Sequence, residues 1–133
     1  MKLYLRTDRY GLIQPDIRPV KESGELYVLY QPFFFEINGK SITITQGFRL
    51  DGASVPRALW SVMFPRDGIH RAAACIHDYL YECKGKLPEG IEYTRLEADS
   101  AFKELLTMYG VKNWQVLAAY KAVRLFGNSY WKD

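Results

Sequence analysis

One stretch of the sequence decides the fold of the first half of the chain: Phe33-Phe34-Phe35-Glu36-Ile37-Asn38-Gly39-Lys40-Ser41-Ile42-Thr43-Ile44-Thr45. Two strand-like runs flank Asn38-Gly39, the residue pair that a type I′ turn favours because both of its central positions need a positive φ. In the second run, Ile42 and Ile44 alternate with hydroxyl side chains, so the isoleucines point inward. The stretch therefore predicts an antiparallel hairpin that turns at Asn38-Gly39.

Two further runs with strand character come before the hairpin in the chain. Leu3-Tyr4-Leu5-Arg6 alternates in hydropathy, and Glu25-Leu26-Tyr27-Val28-Leu29-Tyr30 is rich in residues that favour strands. Together with the hairpin, these runs predict a small N-terminal antiparallel β-sheet within residues 1–50.

The hydrophobic period changes in the second half of the chain, where apolar residues recur at helical spacing. Thr94 and Glu97 form the sequence pattern of a capping box, and Gly110 and Gly127-Asn128 are suitable helix ends. We expect the apolar residues of the last helix to pack it, namely Trp114, Leu117, Ala118, Tyr120, Ala122 and Leu125. The pattern predicts three helices, which cover residues 68–82, 94–109 and 112–126.

The order of these segments and the composition define the class of protein. A β-rich part (residues 1–50) followed by a three-helix C-terminal half (residues 66–127) predicts an α+β fold, and 133 residues suit one domain, residues 1–133. No apolar run approaches the roughly 18–20 residues that span a bilayer, and the N-terminus lacks the apolar core of a signal peptide, so we expect neither. The net charge of +3 is spread without a basic run, which leaves no nucleic-acid signal.

His77 and Asp99 are the candidate catalytic residues. His77 lies in the middle of the first predicted helix, and Asp99 lies on an apolar flank of the second, where a carboxylate must find a partner. If the two helices pack, Asp99 accepts a hydrogen bond from one imidazole nitrogen, and the other nitrogen can take a proton from water. The alternative is a buried His–Asp hydrogen bond that only joins two helices, and the sequence leaves both interpretations open.

Other polar residues could assist such a site. Asp51 and Ser54 could form an oxygen-rich ion site beside Gly52, or only a local Asx-turn. Arg57, Arg71 and Arg95 are candidate ion-pair partners for Asp51 or Asp99. His70 lies seven residues before His77, about 10.5 Å along a helix, whereas Zn–N bonds are about 2.0–2.1 Å. We therefore expect His70 to be a surface or pocket-rim residue and not a zinc ligand.

Several segments of the second half carry a resemblance to a known family. They are Asp51-Gly52-Ala53-Ser54-Val55-Pro56-Arg57, Trp60, Ala73-Ala74-Cys75-Ile76-His77-Asp78-Tyr79-Leu80-Tyr81, Glu97-Ala98-Asp99-Ser100-Ala101-Phe102 and Ala122-Val123-Arg124-Leu125-Phe126-Gly127. Over residues 40–131 the chain resembles the bacteriophage and prophage family catalogued as domain of unknown function 1353. The resemblance implies a tailed-phage or prophage gene product and implies no particular reaction.

The helix that carries His77 is also similar to the core of the phospholipase A2 superfamily, including the short phospholipase domains of parvovirus capsids. The shared pattern is Ala-Ala-x-x-His-Asp-x-x-Tyr, followed by Ala-Asp on the next helix. This resemblance implies that His77 activates water, that Asp99 orients His77 and that Asp78 binds calcium, with Tyr81 in a supporting position. The glycine-rich calcium loop and the disulfides of secreted members are absent, so Asp51-Gly52-Ala53 would have to replace that loop.

Two hypotheses about function follow. The first is a phage-encoded hydrolase in which water attacks an ester or lipid at His77 and Asp99, with Asp78 and Asp51 near a divalent metal, calcium in preference to zinc. The second is a non-catalytic virion or tail-assembly component in which the His–Asp pair is structural and the partners are other phage structural proteins. Both hypotheses place the protein in the host cytoplasm during infection, with the virion tail as a further location.

Overall fold

The computed structural model describes residues 2–5, 7–9, 11–19, 27–50 and 70–131. The chain divides into two compact units, Met1–Asp51 and Gly52–Asp133. The first unit contains strands and the second contains helices, so the α+β prediction is confirmed. The prediction that residues 1–133 form one domain stays a prediction.

The first unit contains short antiparallel strands. In chain order, the strands are β1 (Leu3–Leu5), β2 (Thr7–Asp8), β3 (Gly11–Leu12), β4 (Ile17–Pro19), β5 (Tyr27–Leu29), β6 (Phe33–Ile37), β7 (Lys40–Ile44) and β8 (Arg49–Leu50). They form one sheet in the order β1-β6-β7, a second in the order β4-β5-β8, and the pair β2-β3. All these pairs are antiparallel, as predicted, but the strands of the described residues belong to three sheets and not to one.

The predicted hairpin is β6 and β7. Its register pairs Phe33 with Ile44 and Ile37 with Lys40, so the turn falls at Asn38-Gly39. Asn38 has a φ of 52° and Gly39 a φ of 80°, the left-handed conformation that the sequence predicted at both positions. Ile42 and Ile44 are fully buried. The alternation of the second strand therefore indicated its buried face correctly.

Over residues 70–131, the second unit contains the predicted three helices and one short addition. The helices are α1 (Arg71–Cys83), α2 (Arg95–Met108), α3 (Asn113–Phe126) and α4 (Asn128–Trp131). The capping box at Thr94 is present, since its side chain accepts from the Glu97 backbone and the Glu97 side chain accepts from the Thr94 backbone. Gly127 ends α3 in a right-handed conformation, so the chain continues directly into α4. Within the described residues, no helix is long and apolar enough to cross a membrane.

The packing face of α3 differs from the sequence prediction. Trp114, Leu117 and Leu125 are 57%, 48% and 73% exposed. The buried side chains of α3 are Val116, Ala119, Ala122 and Val123, of which Ala122 was among the predicted residues. Apolar residues occur around almost the whole circumference of this helix, so its periodicity could not select one face. The face with the smallest side chains is the one that packs.

Candidate functional site

The second unit brings His77 and Asp99 together. His77 is the seventh residue of α1, and Asp99 lies in the second turn of α2. The neighbouring Ala72 and Ala73 are fully buried, and their small side chains let another element approach α1 closely. Nε2 of His77 lies 2.8 Å from Oδ1 of Asp99. His77 and Asp99 are 1% and 0% exposed, and they are the buried polar residues within the described part of the chain.

Asp99 accepts hydrogen bonds from further donors on all three long helices. The Tyr81 hydroxyl donates to Oδ1 at 2.7 Å. Arg124 Nη1 donates to Oδ2 at 2.8 Å, and Arg95 Nη1 lies 3.4 Å from the same oxygen. Both carboxylate oxygens are therefore satisfied, and the negative charge has two guanidinium groups beside it. Such a buried carboxylate remains ionised.

Arg95 extends this cluster to the end of α3. It donates to the carbonyl oxygens of Val123 at 3.2 Å and of Arg124 at 3.4 Å, and to the Tyr81 hydroxyl at 3.3 Å. Those two carbonyls lie in the last turn of α3, and the Val123 carbonyl also accepts the backbone N–H of Gly127. Asp99 and Arg95 thus connect α1, α2 and the C-terminal end of α3.

Aromatic rings enclose the imidazole of His77. The ring centroid of His77 lies 4.4 Å from that of Tyr81 and 4.5 Å from that of Phe102. Tyr81 in turn meets Trp131 edge to face, with 5.1 Å between centroids. Gly127 makes this packing possible, because a Cβ at that position would collide with the Tyr81 hydroxyl and the Val123 carbonyl. The imidazole orientation is therefore determined by a hydrogen bond and by two ring contacts.

The surroundings determine the charge state of both groups. Burial lowers the pKa of His77 below its ordinary value of 6.5, although the hydrogen bond to Asp99 acts in the opposite direction. For Asp99, burial acts to raise the pKa, but the hydrogen bonds from His77 and Tyr81 and the charges beside it outweigh burial and hold the pKa low. An ionised Asp99 can only accept, so Nε2 of a neutral His77 carries the proton and Nδ1 has a lone pair.

Some of the residues that the sequence suggested for the site meet in the structure, and others that belong to the site were not predicted. His77, Asp99 and Tyr81 are brought together, and Arg95 is an ion-pair partner of Asp99 at a spacing of four residues. Sequence reasoning assigned no role to Arg124, although it lies in a segment that carried the family resemblance. The contribution of Phe102 to the site was also missed, because an apolar helix position gives no sign of contact with a particular ring.

The remaining candidate residues are less well connected to this site. Asp51, Ser54 and Arg57 lie outside the described residues. Asp78 is half-buried on α1, and His70 is the half-buried N-cap residue of the same helix. In the ranges that the structure describes, no three His, Cys, Asp or Glu side chains group closely enough to hold a metal ion. The metal prediction at Asp78 and Asp51 stays a prediction.

The fold and the site define an α+β protein whose helices meet at a buried His–Asp pair supported by two arginines. The chain belongs to the family described as "Protein of unknown function (DUF1353)", whose model matches residues 27–123. This confirms the family resemblance found in the sequence, while the phage origin and the phospholipase similarity stay predictions.

Comparison with one curated relative adds to this. The chain is 31% identical over 116 residues to "Uncharacterized protein y4jT" of Sinorhizobium fredii (strain NBRC 101917 / NGR234), a match that covers 86% of the chain. The chain spans about a third of that curated relative, since the match covers 31% of the relative's length. No solved structure matches the chain.

Proposed function

We propose that the protein is a hydrolase in which His77 is the general base toward water and the substrate is an ester, with lipid esters as the substrate class. The observation that carries the proposal is the 2.8 Å contact between His77 Nε2 and the buried Asp99. This contact occupies one imidazole nitrogen, and it leaves the other as the basic atom.

The chemistry of the pair supports this role. A general base must be unprotonated at the working pH, and burial keeps His77 in that form. When Nδ1 takes a proton from water, the imidazolium that forms is stabilised by the negative charge of Asp99. Arg95 and Arg124 hold Asp99 ionised, so the carboxylate does not take the proton itself.

A divalent cation is the second part of the proposal. Asp78 follows His77 directly, and successive helix residues point about 100° apart, so Asp78 can serve a different ligand. Asp78 would supply carboxylate oxygens, which suit calcium better than zinc. A cation bound there would polarise the ester carbonyl and stabilise the oxyanion.

The test uses His77→Gln, because a glutamine amide can still donate to Asp99 but cannot act as a base. Hydrolysis of p-nitrophenyl esters and release of fatty acid from phosphatidylcholine vesicles are measured with calcium and with a chelator. We expect activity to fall by about 10²–10⁴-fold in His77→Gln while far-UV circular dichroism is unchanged. His70→Gln is the matched control, because it makes the same substitution at the chain's other histidine. Equal turnover in wild type and His77→Gln would remove the proposal.

The second candidate is a non-catalytic virion or tail-assembly component of a phage, made in the host cytoplasm and bound to other phage structural proteins. The observation that favours it is the burial of the pair, with His77 1% and Asp99 0% exposed. In this alternative the pair only holds the helices together. His77→Gln would then lower the melting temperature and the incorporation into particles, and no ester would be turned over by the wild type. This alternative is tested by mass spectrometry of purified particles, which should contain the protein at a fixed stoichiometry.

A further inference from the structure

One side of α3 presents large apolar side chains to solvent. Trp114, Leu117, Lys121 and Leu125 follow one another at intervals of three, four and four residues, which places them along one side of a helix. The three apolar members are 57%, 48% and 73% exposed, and Lys121 is also exposed. We call these four residues the α3 stripe. An apolar row of this length on a surface helix is typical of an interaction site.

The charge along the chain segment that carries the α3 stripe has one sign. Between Glu104 and Asp133 the chain has no acidic residue, and its basic residues there are Lys112, Lys121, Arg124 and Lys132. Arg124 is paired with Asp99, but Lys112 and Lys121 are exposed. A binding partner that accepts this surface must therefore tolerate or favour positive charge, as an anionic surface does.

We propose that the α3 stripe binds the surface of an anionic lipid bilayer. An amphipathic helix with Trp and Leu on its apolar side and Lys beside them lies in the interface between headgroups and acyl chains. Each Lys near an anionic membrane strengthens binding about fivefold. This binding does not depend on the chemistry of His77, although it would bring the chain to the lipid esters of the proposed function.

The position of Lys121 favours a lipid surface over a protein partner. Lys121 lies between Leu117 and Leu125, in the middle of the α3 stripe. A protein interface would have to bury its ammonium group, and the cores of such interfaces are depleted in lysine. At a bilayer the aliphatic part of the side chain lies along the apolar region while the ammonium group reaches the phosphates. The indole of Trp114 suits the same boundary, since one edge is apolar and its N–H is polar.

The experiment is co-sedimentation of the full chain with vesicles of phosphatidylcholine, with and without phosphatidylglycerol. We expect the wild type to bind the vesicles that contain phosphatidylglycerol and to dissociate from them at high salt. It should bind the neutral vesicles weakly. Lys121→Glu reverses one charge and should weaken binding by about 30-fold. Leu117→Glu with Leu125→Glu should abolish it. Tyr4→Glu is the matched control, because Tyr4 is 49% exposed and lies in the first unit.

Three results of the vesicle assay would overturn the proposal: no binding by the wild type, equal binding to neutral vesicles, or unchanged binding by the double glutamate variant. A dimer in size-exclusion chromatography that Leu117→Glu dissociates would assign the α3 stripe to a second copy of the chain and would also overturn it. If circular dichroism shows that the double variant does not fold, the binding of Lys121→Glu tests the proposal, and unchanged binding by that variant would overturn it. His77→Gln should bind vesicles as the wild type does, so loss of hydrolysis and loss of binding are distinguished.

Discussion

Replacing Asp99 by Asn tests whether the buried carboxylate holds the helices together. The substitution preserves the size of the side chain and removes its charge. If the Asn oxygen keeps the hydrogen bonds from His77 and Tyr81, its NH₂ group faces Arg124 and Arg95, which are themselves donors. Two guanidinium groups then lose their counter-charge, and the helix contacts that they make are weakened.

The size of the effect follows from burial. Removing one partner of a buried ion pair costs about 3–5 kcal/mol. Arg124 is 32% and Arg95 17% exposed, so water can solvate part of the released charge, and we expect the lower end, about 3 kcal/mol. For a domain whose total stability is about 5–15 kcal/mol, this is a large fraction. With a urea dependence of about 2 kcal/mol per molar, the unfolding midpoint should fall by about 1.5 M.

The assay is urea unfolding followed by circular dichroism at the helical band. The matched control is Glu92→Gln, which removes the charge from an exposed ion pair with Lys86 in the same unit. That pair is 78% and 71% exposed, so its loss should change the midpoint little. If Asp99→Asn shifts the midpoint no more than Glu92→Gln does, the buried carboxylate does not hold the helices together and the reasoning is refuted.

Three further predictions concern residues near the site and the helix ends. Because burial lowers the pKa of His77 from 6.5, the unfolded chain binds more protons in acid, so stability should fall as the pH drops below 6.5, by at most about 1.4 kcal/mol per pH unit. In His77→Gln, the urea unfolding midpoint should no longer show this dependence on pH. Gly127→Ala should cost about 1–3 kcal/mol in thermal unfolding. The cost should be smaller in a Tyr81→Phe background, which removes the colliding hydroxyl and leaves the Val123 carbonyl; equal costs in both backgrounds would contradict the collision with the hydroxyl. Thr94→Ala should cost about 1 kcal/mol by loss of the capping box, and Thr107→Ala, whose hydroxyl only bonds a carbonyl within the helix, should cost less in the same measurement.

The short strands show what periodicity could not predict. β2, β3 and β8 each contain two residues, so they are too short to show an alternation. They exist because other strands offer partners, as β5 does for β8. The short helix α4 was missed for a related reason, since Gly127 reads as a helix end but adopts a right-handed conformation here. Glycine permits both conformations, so the residue type alone could not tell which one Gly127 adopts.

The candidate site was only partly accessible to sequence reasoning. Asp99 stood out as an acid on an apolar helix flank, and Arg95 precedes it by four residues, a spacing that brings side chains together within one helix. The contact with Arg124 joins residues 25 positions apart in the chain. Neither spacing nor composition could have identified that arginine among the others.

By itself, the sequence determined the turn at Asn38-Gly39, the positions of the three long helices and the capping box at Thr94, because each depends on residues within a few positions of one another. The tertiary structure decided which side of α3 is buried and which donors surround Asp99. Those choices depend on how closely two helices can approach and on the need of a buried charge for partners, and both are properties of the packed helices and not of a single segment.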